Sequence, residues 1–239
     1  MRRTLPRAES GKTLIPRRVA TRTVVDVEPT QVSRTGRGAV TRVWPPHPMR
    51  SAIMMLAFAA ALYVIEFVNV LGFQNRFIGW GGIKPLELSG LDGILFAPLL
   101  HLNWEHLGAN TLPLVVLGFL AMSGGIAQFV AVLSVIWLAS GIGTWLTGGP
   151  GTTHIGASGL IFGLFAYLLV RGFFNRSFLQ ILLAAALFFY YGYMLWGVLP
   201  TQGGISWQGH LFGAVGGVLA AWLVTRSDKP KRPALPGTV

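Results

Sequence analysis

The sequence predicts an all-α polytopic membrane protein, a bundle of six transmembrane helices with a long connection after the first. Three observations carry that prediction. Of 239 residues, 52% are hydrophobic and only 11% charged, and mean hydropathy is +0.57. Six apolar stretches run at about 51–73, 104–122, 126–147, 157–172, 178–198 and 208–225, against about 20 residues needed to cross a bilayer core. The basic residues are also segregated: 11 of the 19 Lys+Arg precede position 51. A nucleic-acid-binding face needs its charge on a folded surface. Here the charge lies on a tail, so the composition speaks for a bilayer as partner and against nucleic acid. The absence of cysteine excludes disulfides, thiolate catalysis and Cys-ligated zinc.

Residues 1–50 are rich in Arg, Thr, Val and Pro without an apolar period, which reads as a disordered basic cytoplasmic tail. An organelle transit peptide is the competing reading of such an Arg-rich, acid-poor start. The spanning core is 51–226, followed by a short basic tail, 227–239. The connection 74–103 contains Gly81, Gly82 and Pro85, and its apolar stretch Ile94–Leu100 is expected to dip into the bilayer. Orientation follows from Lys and Arg placement. With the N-terminus in the cytoplasm, the tail, Arg171, Arg176 and the four basic residues Arg226, Lys229, Lys231 and Arg232 lie inside. Only Arg76 and Lys84 lie outside. This implies a multi-pass cell-membrane protein with both termini cytoplasmic.

Polar residues within spans are expensive in lipid and are functional candidates by default. Three clusters qualify: His101, His106 and Asn110 at the start of the second span, Gly156-Ala157-Ser158-Gly159 at the start of the fourth, and Gly209-His210 at the start of the sixth. All three spans run inward in the derived topology. At 1.5 Å per residue through a core of roughly 30 Å, the clusters share a depth about 6–10 Å below the outer surface. Gly159 and Gly163, like Gly213 and Gly217, are spaced as small-x-x-x-small pairs that let helix backbones approach closely. A contact between the fourth and sixth spans would bring His210 to Ser158. Phe162, four residues after Ser158, would put a ring beside the imidazole, and His106 and Asn110 share a face at i, i+4.

A serine hydroxyl needs a base to become a nucleophile, and histidine has a suitable pKa. No Asp lies in any span, so the expected unit is a Ser158–His210 dyad. The Ser158 backbone N–H, His106 and Asn110 are candidate donors to an oxyanion. Each feature also has a plainer reading: glycine pairs as packing, His106 and Asn110 as an interhelical hydrogen-bond pair, His154 as loop surface. Glu66 in the first span reads as structural, paired with Asn69 or another span.

At these residues the chain resembles the rhomboid family of intramembrane serine proteases. The resemblance covers 51–226 and rests on three motifs. These are His101, His106 and Asn110 at their spacing, Gly156-Ala157-Ser158-Gly159, and His210 with Gly213 and Gly217, in spans two, four and six. The run Ile205–Gly213 is similar to actinobacterial members. The resemblance implies the six-helix rhomboid bundle and a Ser158 nucleophile with His210 as base. It further implies an oxyanion hole of His106, Asn110 and the Ser158 backbone beside Gly156, and a structural, hydrogen-bonding His101. It implies no cofactor or metal, and transmembrane proteins cleaved near their outer end as substrates. Oligomeric state stays open.

The match has departures. No Trp-Arg pair occurs in 74–103, and Phe162 stands where some relatives stack a Tyr on the base. Ala157, not Pro, precedes Ser158, unlike inactive relatives. The rival function is a non-catalytic client-binding protein, or a transporter using Glu66 and the histidines as a proton path. A His-Glu-x-x-His zinc motif is absent, and Asp26, Asp92 and Asp228 lie outside the spans.

Overall fold

A computed structural model describes residues 41–200 and 204–227. Of the expected tails, 1–50 and 227–239, residues 1–40 and 228–239 lie outside the described residues. Among those described, the protein is all-α, with six helices long and apolar enough to cross a membrane. The eight α-helices are α1 (Pro48–Phe73), α2 (Arg76–Gly81), α3 (Gly93–Phe96), α4 (Trp104–Ala121), α5 (Ile126–Thr147), α6 (Ser158–Asn175), α7 (Phe178–Tyr191) and α8 (Trp207–Ser227). A 3₁₀ turn, Gly192–Val198, prolongs α7 to span length.

Each boundary has a local cause. Pro48 starts α1, where its missing N–H is no loss. Asn103 caps α4 by accepting the His106 backbone N–H at 2.8 Å, and Glu105 in the first turn suits the positive helix end. Residue Arg176 closes α6 in a left-handed conformation, φ 52°.

The helix α6 lies at the centre. Its core neighbours include Leu107, Leu114 and Leu117 of α4, Phe129, Val132 and Ile136 of α5, and Ala220 and Ala221 of α8. Against α8 the backbones nearly touch. A Cβ at Gly213 would fall 2.1 Å from the Gly159 carbonyl oxygen, and one at Gly217 would fall 2.0 Å from that of Gly163. Only glycine tolerates that approach, and in lipid such packing replaces the hydrophobic effect as the force joining helices.

The first connection is not a surface loop. Trp137 donates its indole N–H to the Ile94 carbonyl at 2.8 Å, Ile94 packs where Gly141 has no side chain, and Ala97, Pro98 and Leu100 are buried. The stretch expected to dip into the bilayer, Ile94–Leu100, thus falls largely within a set of short helical turns, Leu88–Leu99, seated on α5.

The structure departs from two sequence expectations. Arg171 is counted with Arg176 among the charges on the cytoplasmic side. It lies inside α6 and is 3% exposed, donating to the Ser123 hydroxyl beneath the Tyr167 ring. A charged residue near a span end reads as a boundary in sequence, but here the helix continues three residues past the expected end at 172. Residues 41–47, counted in the tail, reach the bundle. Trp44 sits edge-on to Phe119 with centroids 5.1 Å apart, and Gln180 Nε2 donates to the Arg42 carbonyl at 2.9 Å.

Candidate active site

The N-terminal ends of α4, α6 and α8 supply the site, and each delivers one predicted cluster. Ser158 is the first residue of α6. It follows Gly156, whose φ of +115° is a conformation that side-chain-bearing residues rarely adopt. A Cβ at Gly156 would also fall 2.8 Å from His106 Cε1 and 3.7 Å from Ser158 Oγ. Gly156 is therefore the floor between the His106 ring and the Ser158 hydroxyl. Its N–H donates to the Ala97 carbonyl at 2.9 Å, which ties the serine turn to the first connection.

His210 sits in the first turn of α8, 7% exposed, with Nε2 2.8 Å from Ser158 Oγ. Its Nδ1 lies 2.8 Å from the Gly197 carbonyl. A carbonyl can only accept, so Nδ1 carries the proton and Nε2 presents its lone pair to the serine. That is the tautomer a general base needs. The Phe162 ring stacks on the imidazole at 4.1 Å and 5° between planes. The absence of a Cβ at Gly197 makes room for both rings, since one would lie 2.9 Å from Phe162 and 3.1 Å from His210 Nδ1. Ser140 of α5 donates to the Gly209 carbonyl at 2.9 Å and holds the start of α8 from behind.

The side chains of His106 and Asn110 project one turn apart on α4. Asn110 is buried and its Nδ2 has no hydrogen-bond partner among the described residues. A buried donor left unmade is costly and unusual, and it is available to an incoming acceptor. The first N–H groups of α6 likewise have no intrahelical acceptor, and the helix dipole favours negative charge there. The arrangement can deprotonate a hydroxyl and receive a developing oxyanion.

His101 is fully buried and edge-on to His106, with centroids 5.2 Å apart. Neither ring nitrogen has a hydrogen-bond partner among the described residues, so the hydrogen-bonding role implied for it has no acceptor or donor here. Burial, and secondarily the neighbouring His106, lowers its pKa to about 4, which keeps it neutral. Glu66 is buried on α1 one turn before Asn69, which holds the Asn75 side chain and the Phe77 backbone N–H. His154 is not loose surface, since both its ring nitrogens have hydroxyl partners.

Sequence reasoning missed Gly197, Ser140 and Ser206. The contribution of Gly197 is a backbone carbonyl, which no residue type signals. Ser140 was legible as a polar residue inside a span. Among the described residues, no group of three or more His, Asp or Glu side chains gathers in a way that could hold a metal ion.

Comparison with known proteins places this constellation in context. Residues 90–227 match the profile of the Rhomboid domain family. An uncharacterized protein of Mycobacterium tuberculosis is 47% identical over 186 residues, 74% of this chain and 77% of the relative. One of Mycobacterium bovis matches to the same extent, and one of Mycobacterium leprae is 44% identical over 192 residues, 77% of this chain and 75% of the relative.

Proposed function

The chain belongs to the rhomboid family, and on that premise we propose that it is an intramembrane serine endopeptidase in which Ser158 is the nucleophile and His210 the base. The observation that carries the reading is the 2.8 Å contact of Ser158 Oγ with His210 Nε2, combined with the His210 Nδ1–H bond to the Gly197 carbonyl. As Ser158 Oγ attacks a peptide carbonyl carbon, its proton passes to His210 Nε2. The carbonyl oxygen becomes an oxyanion facing the Ser158 backbone N–H, His106 and Asn110. Collapse expels the amine, which takes the proton from His210, and leaves an acyl-Ser158. Water then attacks the acyl carbon, giving its proton to His210 Nε2. The proton returns to Ser158 Oγ as the acid product leaves. The Gly197 carbonyl serves the base as a buried carboxylate does in a triad, by holding tautomer and orientation, though with less charge to stabilise the imidazolium.

The substrates are transmembrane proteins, and the segregation of basic residues supports both termini in the cytoplasm and a site toward the outer leaflet. The full chain in proteoliposomes tests this with a fluorophosphonate probe and a fluorescent transmembrane substrate. Wild type is expected to be labelled and to cleave. Ser158→Ala should lose labelling and lose cleavage by at least about 10⁴-fold. Cleavage by Ser158→Ala at the wild-type rate overturns the assignment.

A further inference from the structure

A second histidine lies outside the proposed reaction yet touches both chain segments that lead into the dyad. His154 stands four residues before Ser158, and Ser206 stands four residues before His210. His154 Nδ1 and Ser206 Oγ are 2.8 Å apart. The Ser206 carbonyl in turn accepts the His210 backbone N–H at 3.2 Å. On the other side, His154 Nε2 lies 2.8 Å from Thr152 Oγ1. Its backbone pairs with Ile83 in both directions at 2.9 Å, an isolated antiparallel bridge to the first connection.

Thr152 Oγ1 donates its only proton to the Gly149 carbonyl at 2.5 Å. It can therefore only accept from His154, so Nε2 carries the proton. Neutral His154 then has a lone pair at Nδ1, and Ser206 donates to it. With His154 neutral the link has this polarity; a protonated Nδ1 would instead donate to Ser206 Oγ, so protonation reverses the bond rather than removing it. A cation at this point would also sit near the positive ends of α6 and α8, where helix dipoles disfavour it.

We propose that His154 is a positioning residue, a clamp that holds the entry to α8 against the entry to α6 and so sets the distance between Ser158 and His210. This rests on the proteolytic reading of the site. Burial lowers the His154 pKa below its ordinary 6.5, so the neutral polarity of the link holds at neutral pH. The ionisable groups on the segments packed around it are Lys84 and Glu87 on the facing connection and His210 in the first turn of α8. His154 itself is the ionisable group on the segment 148–157.

The test uses the full chain in proteoliposomes, comparing wild type, His154→Ala, Ser206→Ala, the double variant and His154→Asn. Asn places an acceptor close to the Nδ1 position but does not titrate. Each alanine variant should lower kcat about tenfold with KM little changed, because sub-ångström misplacement of a nucleophile from its base is expensive. The double variant should be no worse than the poorer single, since both remove one interaction. His154→Asn should restore most of kcat. Losses that multiply in the double variant overturn the clamp, and so does wild-type kcat in His154→Ala.

A second readout needs no activity. In ¹⁵N-histidine NMR, the signals lost in His154→Asn belong to His154 and should show the Nε2–H tautomer, with a shift in tautomer balance on Ser206→Ala. An Nδ1–H tautomer in neutral His154 overturns the proposal. If the wild type proves not to be a protease, this spectrum still decides the clamp, so the two failures are separable.

Discussion

The helices α6 and α7 are close in apolarity and opposite in use. Their spanning windows have mean hydropathies of 1.4 and 1.7, yet 61% of the first window is buried and only 22% of the second. In water the more apolar helix would be expected inside. In lipid, apolarity does not sort inside from outside, because the surroundings are as greasy as the core. The sorting is done by size and polarity. The centre went to α6, because Gly159 and Gly163 admit the α8 backbone and because Ser158 and Arg171 have partners only within the bundle. Phe188, Phe189 and Tyr190 of α7 are exposed on the bundle surface.

Three substitutions sharpen this contrast. The largest effect is expected at the α6–α8 seam. Gly213→Val puts a side chain into the Gly159 carbonyl, and the backbones must part. The expected result is loss of cleavage and of fluorophosphonate labelling, with a Tm in micelles well below wild type. A variant that stays active would show that the seam tolerates separation and that the glycines are incidental.

An intermediate case is His101, buried at the site end without a hydrogen bond. Its folded pKa of about 4 lies below the ordinary 6.5, so between these values the unfolded chain binds more protons than the folded one. Stability therefore rises with pH there and is lost as pH falls from 6.5 toward 4, by roughly 2–3 kcal/mol from this group. His101→Leu should melt no lower than wild type at pH 7.5 and lose less Tm than wild type by pH 4.5. Parallel Tm–pH curves for the two proteins would refute the burial argument.

The smallest effect belongs to α7. Phe189 is 93% exposed on the bundle surface, and Phe189→Ala should change Tm by less than about 2 °C and leave labelling unchanged. A large loss would show that this face contacts something besides lipid.

Much of the fold was legible because spans declare themselves by length and hydropathy. The six expected segments agree with the six helices to within about three residues at each end. Two of the departures share an origin, which is that sequence reads polarity as exposure. Arg171 reads from its charge as facing the cytoplasm, but Ser123 and Tyr167 receive it inside the bundle. His154 was read as loop surface for its position, but Ser206 and Thr152 hold it at both nitrogens. In each case one partner, Ser123 or Ser206, comes from a distant part of the chain. The candidate site was legible in part. Ser158, His210, His106, Asn110, Phe162 and Gly156 stood out by type and spacing, and the structure gathers Ser158, His210 and Phe162, and separately Gly156 with His106 and Ser158. The acceptor behind His210 was not legible, because the carbonyl of Gly197 is the same atom that every residue carries.

The sequence by itself determined the number and extent of the spans, the small residues at which two helices could meet, and the chemical types available near the start of three of them. These are local properties, set by hydropathy over about 20 residues and by the 3.6-residue period. Only the tertiary structure decided which atoms meet. It set Ser158 Oγ against His210 Nε2, supplied a backbone carbonyl where no carboxylate was available, and turned a loop histidine toward Ser206. Hydrogen-bond partners depend on the path of the chain through space, and that path depends on how closely α6 and α8 can approach.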